Sequence, residues 1–291
     1  MRFRVDLDYD GMTVGEFLKS KRFSRRTINR LKSGGRIFLN GAIAYTGEVI
    51  KNGDILDIDF TEDCNIVPSP IPLDIIYEDE DILVLNKQPG IVVHPTAYHY
   101  DDTIGNGVMY YFSQKGLKRG FHPVNRLDRE TSGVLIIALN QHMHNMIQQY
   151  GQMDKAYIAV VEGVVEKDCG TIDLPIARKP GSLIERCVSQ DGQRAITHFC
   201  TVKRLENMTV LLLKLETGRT HQIRVHLSYI GHPIIGDTLY GKLYGKPNAE
   251  INRHALHCSE MSFLHPYTGK RVFFKAPLPQ DMENLIVKQQ K

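Results

Sequence analysis

The run Val134-Leu135-Ile136-Ile137-Ala138-Leu139 constrains this chain more than any other stretch. An unbroken apolar run of this length reads as a strand buried on both faces. Val210 to Leu215 is a second run of the same kind. Ile75 to Glu78, Ile82 to Lys87, Lys155 to Gly163, Arg194 to Phe199 and Leu256 to Phe263 add further strands, and Arg271 to Ala276 closes a hairpin with the last of these. Helical patterns are fewer: 12–19, a stretch from Ser24, 103–112, 141–149, and a helix starting near Arg219. Most strands neighbour each other in sequence. The expected fold class is therefore α+β, with a mixed, mainly antiparallel central sheet. An apolar fraction of 42% in 291 residues is enough for a sizeable core.

The first sixty residues have a different texture. Thr13 and Ser24 are good caps for two short helices, and Gly34-Gly35 ends the second. Asn40-Gly41 marks a tight hairpin between two short strands. From Lys19 to Arg36 basic residues recur with no acid among them. On a helix of period 3.6, Arg22, Arg26 and Arg30 share one face. A solvated helix face usually mixes both signs. A stripe of one sign points to phosphate contacts. The Pro-rich stretch around Pro68-Ser69-Pro70-Ile71-Pro72 should be extended and stiff. The expected organisation is a small α/β module at 1–62, a linker at 63–72 and a larger domain at 73–291.

Composition excludes several classes. The five cysteines are scattered and form no C-x-x-C pair, which argues against a disulfide framework and a zinc ribbon. A reducing cytoplasm is the simplest inference. No apolar signal core opens the chain, and no run approaches a membrane span. The net charge of +3 permits nucleic-acid binding without demanding it. His142 and His144 point to different faces of a helix, so they are poorly placed to share a metal. No metal site and no cofactor are expected, and a monomer is the default.

Chemistry concentrates in His122-Pro123-Val124-Asn125-Arg126-Leu127-Asp128-Arg129-Glu130-Thr131-Ser132-Gly133, just before the buried run. Asp128 sits on a loop anchored to a rigid strand, a common place for catalytic groups. Arg126 and Arg129 flank it as candidate RNA-binding residues, and nearby positive charge favours the ionised carboxylate. This string resembles the catalytic motif of the RluA/RluD-type pseudouridine synthases, which isomerise uridine in RNA. The resemblance makes Asp128 the catalytic carboxylate. The family usually has His where Asn125 stands. Three further strings support the likeness: Asn86-Lys87 leading to Pro89-Gly90, Lys155-Ala156-Tyr157, and Thr217-Gly218-Arg219-Thr220-His221-Gln222-Ile223-Arg224. It implies that Tyr157 stacks on the target base and can act as a general base. It also implies that Arg224 pairs with Asp128 and that Ile223 walls the base. Arg219 supports the loop or contacts RNA. An arginine early in a helix opposes the macrodipole, so an anion should compensate Arg224. Residues 12–60 resemble the ribosomal-protein S-four-like RNA-binding domain. The family's fold is a central sheet with the active cleft across it.

Isomerisation breaks the bond from ribose carbon 1 to uracil nitrogen 1, turns the base, and rejoins it through carbon 5. Asp128 could attack the ribose carbon, add to carbon 6 of uracil, or take the ribose carbon-2 proton; the sequence leaves all three open. Reaching the bond in folded RNA requires flipping the nucleotide out of its stack, and Arg126 is the candidate to fill the space. Large-subunit ribosomal RNA is the favoured substrate and transfer RNA the alternative. A non-catalytic RNA-binding factor and a carboxylate glycosidase are the rival classes. The first would not need Asp128, Tyr157 and Arg224 together, and the second usually needs a paired carboxylate.

Overall fold

The computed structural model describes residues 1–241 and 251–288. The N-terminal strands are β1 (Arg2–Arg4), β2 (Ile37–Leu39), β3 (Ala42–Ile43) and β4 (Ile55–Ile58). They form an antiparallel sheet in the order β1-β4-β2-β3. Helices α1 (Val14–Ser20) and α2 (Arg25–Ser33) precede the β2–β3 hairpin. The caps follow from local chemistry. Thr13 and Glu16 close a capping box on α1, and Ser24 accepts the Thr27 N–H at 3.1 Å. Asn40 and Gly41 both take positive φ, 51° and 86°, as a two-residue primed turn requires. Phe17, Leu18, Leu31, Ile37 and Leu56 form a core separate from the one beneath the main sheet.

Arg22 is not on α2. The cap at Ser24 starts the helix after it, and Arg22 sits in a left-handed turn at φ 63° with its guanidinium 4.2 Å over the Tyr150 ring. The expected stripe of Arg22, Arg26 and Arg30 is broken further because Arg30 pairs with Glu62 at 2.7 Å. Glu62 also bonds His122 Nε2 at 2.8 Å, tying the N-terminal residues to the segment that leads to Asp128. Burial alone would raise the Glu62 carboxyl; His122 and Arg30 overcome it and bring it below the usual range. Phe23 stacks on His142 at 3.7 Å, and burial pushes that imidazole down to about 4.

The remaining elements are β5 (Ile75–Glu78), β6 (Ile82–Lys87), α3 (Ile104–Gln114), β7 (His122–Pro123), β8 (Ser132–Ala138), α4 (Gln141–Tyr150) and β9 (Asp154–Glu162). They continue with β10 (Cys169–Asp173), β11 (Ile176–Arg178), β12 (Arg186–Val188), β13 (Ile196–Arg204), β14 (Met208–Leu215), α5 (Gln222–Tyr229), β15 (Leu256–Leu264), β16 (Arg271–Lys275) and α6 (Gln280–Lys288). The main sheet runs β10-β13-β14-β9-β15-β8-β6-β5, with β16 on β15 and β7 on β8. Among the described strands β8 and β15 pair in parallel and the other neighbours are antiparallel. This is the mixed, mainly antiparallel α+β sheet expected. Every residue of β8 is buried. Side chains of α3, α4, α5 and α6 enter the same core.

Three features depart from expectation. The Pro-rich stretch has no regular element but is strapped to α3: Asn106 donates to the Val67 carbonyl at 2.7 Å, and Ile71 packs against Gly107. Residues 164–194, where no elements were read, hold β10, β11 and β12. Their polarity is mixed and their lengths are three to five residues, too short for a period to show. Cys169 and Cys200 stand opposite each other on β10 and β13 and are disulfide-bonded, although the scattered cysteines argued against a disulfide framework. The sequence spacing of 31 conceals that register.

Candidate active site

Asp128 occupies the turn between β7 and β8, and this turn is fixed from several sides. Lys87, the last residue of β6, is buried, and its ammonium donates to the carbonyls of Gln88, Arg129 and Thr131, each at 2.9 Å. Burial pushes this lysine down to about 7, against the pull of Glu130 and Asp128. Thr131 and Ser132 bond His254 and His257 at 2.8 and 3.0 Å. Burial drives His254 down to about 3, so it meets Thr131 as a neutral ring. Gly133 has φ +113° and lies against β15, where a Cβ would run into the Cys258 carbonyl. Asn125, the departure from the family pattern, is buried and structural. Its amide donates to the Val134 carbonyl at 3.0 Å and accepts the Ile136 N–H at 2.9 Å.

The compensating anions for Arg224 are two carboxylates. Its Nη1 donates to Asp128 at 3.1 Å, while Nε and Nη2 grip Asp237 at 2.7 and 2.9 Å. Planar guanidinium matches carboxylate in this bidentate way. Asp237 in turn accepts the backbone N–H groups of Leu239 and Tyr240. Burial would raise the Asp237 carboxyl, but Arg224 holds it below the usual range. Arg224 is itself buried, at 7% exposure, so it has one orientation in which to present a proton to Asp128. His221 approaches Asp128 to 3.8 Å, too far for a hydrogen bond. It caps α5 in a left-handed conformation, φ 57°, that costs a non-glycine residue roughly 1–2 kcal/mol. Its Nδ1 bonds the Tyr240 hydroxyl at 2.8 Å, which fixes the ring beside the carboxylate.

The cleft around Asp128 has a volume of about 640 Å³. Tyr157, Ile223 and Leu256 line its apolar side, and Arg126 and Arg219 stand at its edge. Tyr157 is buried, and burial raises its phenol well above the ordinary value. A neutral phenol is a packing surface and a proton donor rather than a ready base. Arg126 is exposed, whereas Arg129 turns away and donates to the Gly90 carbonyl at 3.1 Å. Arg129 therefore braces the turn instead of facing the cleft. Arg219 donates to the Arg194 carbonyl at 3.1 Å. Arg22, Arg26 and Arg30 are not part of this cleft. Asp237, His221 and Lys87 went unassigned in the sequence. Their signals were an acid inside a Gly-rich string, a histidine beside an arginine, and a lysine closing an apolar strand.

A carboxylate on a rigid turn, one apolar wall and a cationic edge form the layout of an enzyme that acts on a nucleic acid. Comparison with known proteins gives the family. Residues 81–229 match the family described as RNA pseudouridylate synthase. The chain is 44% identical to the uncharacterized RNA pseudouridine synthase YjbO of Bacillus subtilis, over 94% of this chain and 98% of that protein. It is 36% identical to the ribosomal large subunit pseudouridine synthase D of Zymomonas mobilis, over 91% and 89% respectively. Among solved structures, human RNA pseudouridylate synthase domain containing 1 aligns with a TM-score of 0.59 and 26% identity, covering 76% of this chain and 96% of that one. The chain belongs to the RluA/RluD-type RNA pseudouridine synthases and is an isomerase acting on RNA.

Proposed function

We propose that Asp128 is the catalytic carboxylate and that the substrate is a set of uridines in large-subunit ribosomal RNA. The observation that carries the first part is the chain of contacts Asp128–Arg224–Asp237. A buried, doubly anchored arginine aims one N–H at a carboxylate that itself faces an open cleft. Such preorganisation fixes the carboxylate's orientation before the reaction, so none of the barrier goes to reorienting it. The three routes open to Asp128 share this requirement for one oriented carboxylate.

In this reading the target nucleotide leaves its stack and enters the cleft between Asp128 and the wall of Tyr157 and Ile223. Tyr157 packs on the uracil as a neutral phenol. Arg126 fills the space the base vacates. The glycosidic bond to nitrogen 1 breaks, the base turns, and a bond from ribose carbon 1 to carbon 5 forms. The proton on carbon 5 passes to solvent while nitrogen 1 gains one, so the net change is an isomerisation.

Residues 1–62 act as an S-four-like module that holds RNA through exposed basic residues such as Arg26. The preference for large-subunit RNA draws support from relatives named for that activity. It is tested by mapping pseudouridine across ribosomal and transfer RNA in cells with and without this chain. Sites in large-subunit RNA should disappear and return on re-expression. Loss confined to transfer RNA would replace the substrate.

A further inference from the structure

Beside the catalytic cleft lies a second, smaller pocket of about 380 Å³. Its walls come from the β11–β12 hairpin and from the loop before α5, and its charged lining is Arg126, Arg178, Arg186, Arg219 and a single acid, Asp191. Four guanidinium groups and one carboxylate in the lining leave an excess of positive charge. Among the described residues, the side chains of Arg126 and Arg178 make no hydrogen bond or ion pair. Arg186 and Arg219 are braced from behind by backbone carbonyls: Ile184 and Glu185 for the first, Arg194 for the second. Unpaired or braced guanidinium groups pointing into one concavity suit a phosphate, whose oxygens accept their paired N–H donors.

The pocket is continuous with the cleft, because Arg126, Gly218, Arg219 and Thr220 line both. The hairpin is also tied to the site itself. The Arg186 backbone N–H donates to the Tyr240 hydroxyl at 2.8 Å, and that hydroxyl bonds His221 beside Asp128. A strand with its target nucleotide in the cleft can therefore continue past Arg126 and Arg219 into the pocket.

We propose that the pocket framed by Arg178, Arg186 and Arg219, with Arg126 at its mouth toward the cleft, binds phosphates of the same RNA strand next to the flipped nucleotide, with the β11–β12 hairpin as its outer wall. This rests on the reading of the Asp128 cleft as the place where the uridine reacts. Its function is to fix the register of the strand, which decides which uridine reaches the carboxylate.

The test uses Arg178→Gln and Arg178→Lys in the full chain, because Arg178 is exposed and outside the cleft. Binding of an unmodified large-subunit RNA transcript is measured across a salt series, and tritium release from carbon 5 is measured on the same RNA. Arg178→Gln should reduce the slope of log K against log salt by about one phosphate's share, roughly 0.7–0.9. KM should rise several-fold with kcat unchanged, and Arg178→Lys should restore most of the slope. A wild-type slope and KM in Arg178→Gln would overturn the pocket. If wild type binds RNA but releases no tritium, the cleft reading fails; a reduced Arg178→Gln slope in that binding series would still support the pocket as a phosphate site.

Discussion

Arg224 and Arg26 are the same side chain used in opposite ways. Arg224 is buried and bound to Asp128 and Asp237, with each of its three guanidinium nitrogens hydrogen-bonded to a carboxylate. Arg26 lies on the exposed face of α2. In the function proposed above, the first supplies position and the second supplies field. Geometry fixed by a low-dielectric network is sensitive to a displacement of an ångström. A surface charge acts through counterion release, which depends on number more than placement. Substitutions near Arg224 should therefore lower kcat steeply, and substitutions on α2 should change binding mildly and in a salt-dependent way.

After Asp128 itself, the largest effect is expected at Asp237. Asp237→Asn weakens the grip on Arg224 and should lower kcat about a hundredfold. It should also cost about 3 kcal/mol of stability, since it breaks a buried pair. Single-turnover rates and urea midpoints check both, and an unchanged kcat would remove Arg224's anchoring from the account.

Lys87 sharpens the same contrast through pH. Burial brings it to about 7 in the folded chain, against ~10.4 when unfolded. Between those values the unfolded chain binds the extra proton, so stability should rise with pH across about 7 to 10. Turnover should fall over the same window, because a neutral amine cannot donate to all of its carbonyl partners. Lys87→Met should flatten the stability trend. Parallel trends in stability and turnover would contradict a positioning role.

Arg126 stands between the two regimes. Arg126→Ala should slow turnover on structured RNA more than on flexible single strands, because flipping costs a few kcal/mol in a stack and less outside one. Equal losses on both would count against the flipping role. The smallest effect belongs to Arg26→Gln, which should reduce the salt slope of binding by less than about one and leave kcat unchanged. A large loss of kcat would mean that α2 reaches the chemistry.

Much of the fold was legible because its signals are local. The apolar run at Val134–Leu139 announced a fully buried strand, and Thr13, Ser24 and Asn40-Gly41 announced caps and a turn. The misplacement of Arg22 came from running a helical period back across the Ser24 cap. Strands β10 to β12 were missed because no period fits within so few mixed residues, and with them the arginine pocket. Of the residues that line the cleft, Asp128, Tyr157, Ile223 and Arg224 stood out through motif strings. Lys87 did not, because its partners are backbone carbonyls, two of them 42 and 44 residues away. Asp237 did not either, because nothing in the glycine-rich string around it shows which arginine it grips.

The central claim is that Asp128 carries the reaction in RNA. The direct measurement is tritium release from carbon-5-labelled RNA of cells lacking this chain, with wild type and Asp128→Asn compared at matched RNA binding. The expected result is release by wild type and a loss of about ten-thousandfold or more in the variant, with affinity retained. Release by Asp128→Asn at a rate near wild type would contradict the assignment and move the chemistry to another group in the cleft.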